Sequence, residues 1–126
     1  MPADQPNRSD SPDRGDPAAA AARDIADVPA VEVITTTALH LMSAAAVKVG
    51  LAEDEETFGH TDLDEARKLI TALSGLVTAA APDLGAFHAA PLRDGLQALQ
   101  RAFRDASRIP DAPGDGPGER PQVGPS

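Results

Sequence analysis

The 126-residue chain has no cysteine, tryptophan or tyrosine, and only three phenylalanines. Without cysteine it can build neither a disulfide framework nor a thiolate zinc site. With so little aromatic surface, its core must come from Leu, Val, Ile and Ala. Basic residues are scarce as well: 11 Lys and Arg stand against 20 Asp and Glu, a formal charge of −9. That balance argues against a protein that grips nucleic acid through its phosphates, and against attraction to anionic membranes. No basic segment followed by an apolar one opens the sequence, and no stretch approaches about 18 apolar residues. Export and membrane spanning are therefore not expected, and the expected location is the cytoplasm.

Proline and glycine are plentiful, but they collect at the ends. Pro12, Asp13, Gly15, Asp16 and Pro17 lie in a stretch with little apolar except alanine, and from Pro110 the chain reads PDAPGDGPGERPQVGPS. Neither end has an apolar cluster to offset the entropy of ordering, so residues 1–23 and 110–126 are expected to be disordered tails. Residues 24–109 then form one domain. Roughly eighty residues bury only about 60% of their unfolded surface, which makes such a domain marginal alone and favours oligomerisation.

The periodicity of this middle region is helical, and it predicts an all-α domain of three helices. In the second, from Asp62 to about Ala80, Leu63, Ala66, Leu69, Ile70, Leu73, Leu76, Val77 and Ala80 share one arc, with Arg67, Lys68, Thr71, Ser74 and Thr78 outside it. Asp62 and Glu65 have the spacing of a capping box, and Pro82 is expected to stop the helix. The third is expected from Pro91 to about Ser107, with Pro91 at the first helical position. Leu92, Leu96, Leu99, Phe103 and Ala106 form its apolar stripe. Arg93, Arg101, Arg104 and Arg108 fall in a separate arc.

The first helix is expected from about Pro29 to Leu51, with Asp27 as cap and Gly50 near its end. It contains VITTTALHLMSAAAV, fifteen residues from Val33 without a charge. On a helical wheel Val31, Ile34, Ala38, Leu41, Met42, Ala45 and Val49 make one apolar face. Val33, His40, Ala44, Val47 and Leu51 make another on the opposite side. A helix apolar on both sides is normally covered on both, and two neighbours in so small a domain cannot easily do that. Val33, His40, Val47 and Leu51 are therefore the expected interaction face, turned to another copy or to a partner protein.

Nothing in the sequence has the spacing of a catalytic, cofactor or metal site. His40, His60 and His88 form no i, i+4 pair, and Glu53, Asp54, Glu55 and Glu56 lack the order of a calcium loop. No nucleophile elbow or phosphate-cradling glycine loop occurs. Ser43 lies near His40 without an acid on the same face. The arginine arc is expected to be a solvated face balanced by Asp94, Asp105 and the acidic loop. The other reading makes it a docking face for an acidic partner, including RNA.

Three separated segments, DVPAVEVITTTALHLMSAAAVKVGLAE, DLDEARKLITALSGLVTAAAPDLG and PLRDGLQALQRAFRDAS, resemble the bacterial family known as "domain of unknown function 1844", in its actinobacterial form. The resemblance runs from about Asp24 to Glu119. It implies a short helical fold and a cytosolic bacterial protein, and carries no activity, cofactor or catalytic residue to transfer. The resulting expectation is a non-enzymatic helical module without cofactor or metal that self-associates or binds a protein. A ribosome- or RNA-associated factor using Arg93, Arg101, Arg104 and Arg108 is the alternative. A small-molecule-binding protein or enzyme formed only in the oligomer is a third.

Overall fold

The computed structural model describes residues 17–51 and 59–120, and within them the fold is all-α. Four helices follow one another: α1 Pro17–Ile25, α2 Ala30–Val49, α3 Leu63–Leu84 and α4 Ala86–Ala106. The chain divides into two units between Val33 and Ile34. The first unit contains α1, in a place where a tail was expected. Its run of five alanines gives it helical propensity without any need for an apolar core. Residues 1–16 of that expected tail, and the acidic run Glu53–Glu56, lie outside the described residues.

The second unit, from Ile34 onward, holds α3, α4 and the greater part of α2. Its centre is a hairpin of α3 and α4 that turns on one residue, Gly85, at φ 82°, ψ 161°. This backbone region is open essentially to glycine alone. The Gly85 amide donates to the Ala81 carbonyl at 3.1 Å and its carbonyl accepts from the Ala89 amide at 2.9 Å, so one residue ends α3 and begins α4. Two expectations are thereby corrected. Pro82 does not stop α3; it sits in the last turn, and the helix continues through Leu84. Pro91 is not at the start of α4, which begins five residues earlier, directly after Gly85. The helical register leaves the Phe87 carbonyl without the amide that Pro91 lacks, a loss confined to the second turn. His88, which precedes the expected start of this helix at Pro91, is helical and exposed, its ring edge-on to Phe87 at 5.3 Å.

The helices bury their predicted stripes. Ala66, Ile70, Leu73, Val77, Ala80, Ala81 and Leu84 of α3 are buried, as are Ala89, Leu92, Leu99 and Phe103 of α4. Ala106, expected on the stripe, is exposed because α4 ends there. Ser107 closes that end: its Oγ donates to the Phe103 carbonyl at 2.7 Å, and its backbone is extended. The pairing is antiparallel about Gly85. Arg67 and Phe103, each eighteen residues from it, meet with the guanidinium 4.9 Å from the ring centroid.

α2 begins on the Pro29 carbonyl, which accepts from the Glu32 and Val33 amides, so Asp27 is not its cap. It ends in a Schellman arrangement at Gly50, φ 89°, where the Leu51 amide donates to Ala46 and the Gly50 amide to Val47. The Asp62 amide then donates to the Lys48 carbonyl at 2.8 Å, tying the end of α2 to the cap of α3. Asp62 accepts from the Glu65 amide at 3.2 Å, as the capping-box spacing predicts. The reciprocal half is absent because the Asp62 amide is already given to the Lys48 carbonyl; the Glu65 carboxylate takes Lys68 at 2.8 Å, which raises the Lys68 pKa above its ordinary value. Ala38, Ala45 and Val49 are buried on the predicted inner face. Next to them, Met42 fills the notch left by the missing side chain of Gly95 on α4; a Cβ at Gly95 would overlap the Met42 methyl.

The dependence on Gly85 gives a test that separates strain from crowding. No atom lies within 4 Å of where a Cβ would stand on Gly85, so Gly85→Ala meets no clash. Its cost is conformational, and the expected loss is about 1–3 kcal/mol in urea unfolding. An unchanged midpoint would mean that the corner relaxes into another geometry.

Candidate interaction surfaces

The described residues offer two surfaces with a direction. The first is the outer side of α2. Of its twenty residues only Ala38, Ala45 and Val49 are buried. Leu39 is 50% exposed, Leu51 58% and Val33 37%. His40 is exposed and Val47 half-buried. His40 and Val47 thus stand on the side of α2 away from Ala38 and Ala45; Leu51, expected in the helix, follows Gly50 beyond its end, and Val33 belongs to the first unit. α2 is also long and apolar enough to cross a bilayer, with 11% of its most apolar 18-residue window buried. The expectation that no stretch reaches such a length counted only uninterrupted apolar residues. Averaged over a window, the interspersed threonines, serine and histidine dilute the apolar character too little to matter.

α2 also carries the one buried side-chain polar atom among the described residues that has no hydrogen-bond partner, Thr35 Oγ1, on the side of Ala38 and Met42. A helical threonine usually returns its hydroxyl to a carbonyl one turn back.

The second surface is where residues 110–120 lie. They were expected to belong to a disordered tail, and instead fold back across α3 and α4. Pro117 is buried. Gln100 Nε2 donates to its carbonyl at 3.1 Å, and Ser74 Oγ donates to the Gly118 carbonyl, also at 3.1 Å. Arg104 meets Glu119 at 2.9 Å and Arg67 meets Asp111 at 2.9 Å. Glu119 also accepts from the Gly114 and Gly116 amides, so its carboxylate organises the turn from within. Composition alone hides such an arrangement, because the segment is ordered by polar contacts with distant residues rather than by apolar ones of its own. Residues 121–126 lie outside the described residues.

This segment also changes how the arginine arc reads. Arg93, Arg101, Arg104 and Arg108 are all exposed, as expected, and Arg104 is engaged by Glu119; the acidic loop lies outside the described residues. Ser74, which the wheel set outside the core arc, is buried beneath Gly118. Among the described residues no three His, Asp or Glu side chains come together as metal ligands.

The class that this geometry defines is a small helical module: an antiparallel hairpin, a third helix laid against it by one side, and a short segment strapped across its seam. The chain belongs to the family described as "Domain of unknown function (DUF1844)", whose profile matches residues 30–105. That span takes in α2, α3 and nearly all of α4, and stops short of the strap. Comparison with curated proteins and with solved structures returned no match.

The orphaned hydroxyl of Thr35 yields a prediction of definite sign. Thr35→Val keeps the shape of the side chain and removes a polar atom buried without a partner. It should raise stability by about 1–3 kcal/mol, seen as a higher urea midpoint with an unchanged m-value. A fall in stability would show that the hydroxyl has a partner in solution.

Proposed function

We propose that this protein is a non-enzymatic, self-associating helical module of the cytoplasm, and that two copies meet through the outer side of α2. The observation that carries this reading is a twenty-residue helix, free of charge from Val33 to Val47, that buries only three of its residues. Half-exposed Leu39 and Leu51 and half-buried Val47 leave apolar surface whose removal from water would be favourable. A surface without charge complements itself, as the isologous interface of a two-fold dimer requires. A bilayer would serve the same apolar residues, but the formal charge of −9 opposes approach to anionic lipid.

Sedimentation tests the proposal. The parent protein should run as a dimer or larger assembly at micromolar concentration. Val47→Asp should run as a monomer with its helical signal retained, because a carboxylate buried unpaired in an apolar contact favours dissociation. Leu39→Asp, at a half-exposed position, makes the same test with less risk to the fold of the single copy. A parent that sediments as a monomer and floats with neutral vesicles would replace self-association by membrane contact. A monomer that ignores vesicles would leave the face to a foreign protein.

A further inference from the structure

The strap at the C-terminal end touches the hairpin in the way a bound peptide touches its receptor. Three successive residues are read, each by a different side chain. Gln100 donates to the Pro117 carbonyl, Ser74 to the Gly118 carbonyl, and Arg104 takes the Glu119 carboxylate. The middle position admits no side chain. A Cβ on Gly118 would stand 2.6 Å from Ser74 Cβ and 2.9 Å from Ser74 Oγ, and its φ of 72° already favours glycine. Pro117 is buried at the contact, while Arg67 holds Asp111 at the near end of the segment. Among the described residues Ser74 is the one buried polar residue, and its hydroxyl is spent on this strap rather than on its own helix.

We propose that the seam of α3 and α4 is a peptide-docking groove for a Pro-Gly-acidic sequence, and that residues 111–119 occupy it in cis as an autoinhibitory latch. The ligand is a protein segment carrying Pro-Gly-Glu or Pro-Gly-Asp, with its two carbonyls turned to Ser74 and Gln100 and its carboxylate to Arg104. The latch is built to release. Apart from Pro117, its residues are half-buried or exposed, and its ion pairs with Arg67 and Arg104 join side chains in contact with water, where salt screens them. Its connection to α4 is the exposed stretch Arg108–Pro110, which can swing without disturbing the hairpin core. Tethering gives the latch the advantage of high effective concentration, so a competing segment must either bind better or find the latch already open.

The test uses the full chain and a fluorescein-labelled peptide of residues 110–120, PDAPGDGPGER. Two variants open the latch by different means: Gly118→Val by overlap with Ser74, and Glu119→Lys by reversing the charge at Arg104. Fluorescence anisotropy should show saturable binding of the peptide to both variants and at least tenfold weaker binding to the parent, whose own latch competes. Adding Arg104→Glu to the Gly118→Val chain should abolish binding, as should placing Gly118→Val in the peptide itself, and raised salt should weaken it. Failure of both opened variants to bind up to millimolar peptide would overturn the proposal. So would equal binding by parent and variants, or undiminished binding of the valine peptide. Loss of helical signal in both variants would overturn it too, since the segment would then be an integral part of the core rather than a latch.

Discussion

The second unit depends on the backbone conformation of Gly85. Two long helices joined by one residue have no loop in which to absorb error, so the turn must be made at that residue and in a region of φ and ψ that other residues avoid. What the corner gains in return is register. Arg67 lies opposite Phe103 because both are equally far from Gly85, and the buried stripes of α3 and α4 face each other along their length. A longer loop would let the helices slide by a residue or more; a one-residue corner does not.

That register also creates the strap site. Ser74 and Gln100 stand on different helices, yet reach the carbonyls of adjacent residues, Gly118 and Pro117. Arg67 on α3 and Arg104 on α4 hold opposite ends of the same segment. Such a site has no local cause. It exists only when both helices are in place, and it draws on polar residues that a wheel assigns to the solvent side of each helix. The arginine arc is therefore part of the architecture at Arg104, and a freely presented charge at most of its other positions.

Much of this was legible in the sequence, and the failures have a common physical origin. Apolar spacing placed α2 and the buried stripes of α3 and α4, and the Asp62 cap followed from its distance to Glu65, because these are local effects with fixed periods. Pro82 and Pro91 were misread as boundaries. Proline is a poor interior residue, but in the last turn of α3 and the second turn of α4 it forfeits little, whereas the glycine between them has no alternative conformer to offer an ordinary residue. The strap was hidden for the opposite reason: proline and glycine suggest an unfolded chain when no local apolar residue is present. Here the ordering contacts come from Ser74, Gln100, Arg67 and Arg104, which are distant in sequence. The one local hint was Glu119, three residues after Gly116 and able to accept from the amides of its own turn.

The same distinction bears on α2. Its inner face meets the hairpin through small residues: Ala38 and Ala45 are buried without bringing much apolar area with them, and the larger Met42 reaches the hairpin only because Gly95 leaves room. A helix held through alanines gains little from burial, since the hydrophobic contribution scales with area. Its C-terminal end is correspondingly well secured, by the Schellman turn at Gly50 and by the Asp62 amide on the Lys48 carbonyl. These bonds fix where α2 points without covering its outer side. The side chains of Leu39, Val47 and Leu51 are covered by neither device, and the proposed contact between two copies would take that apolar area out of water.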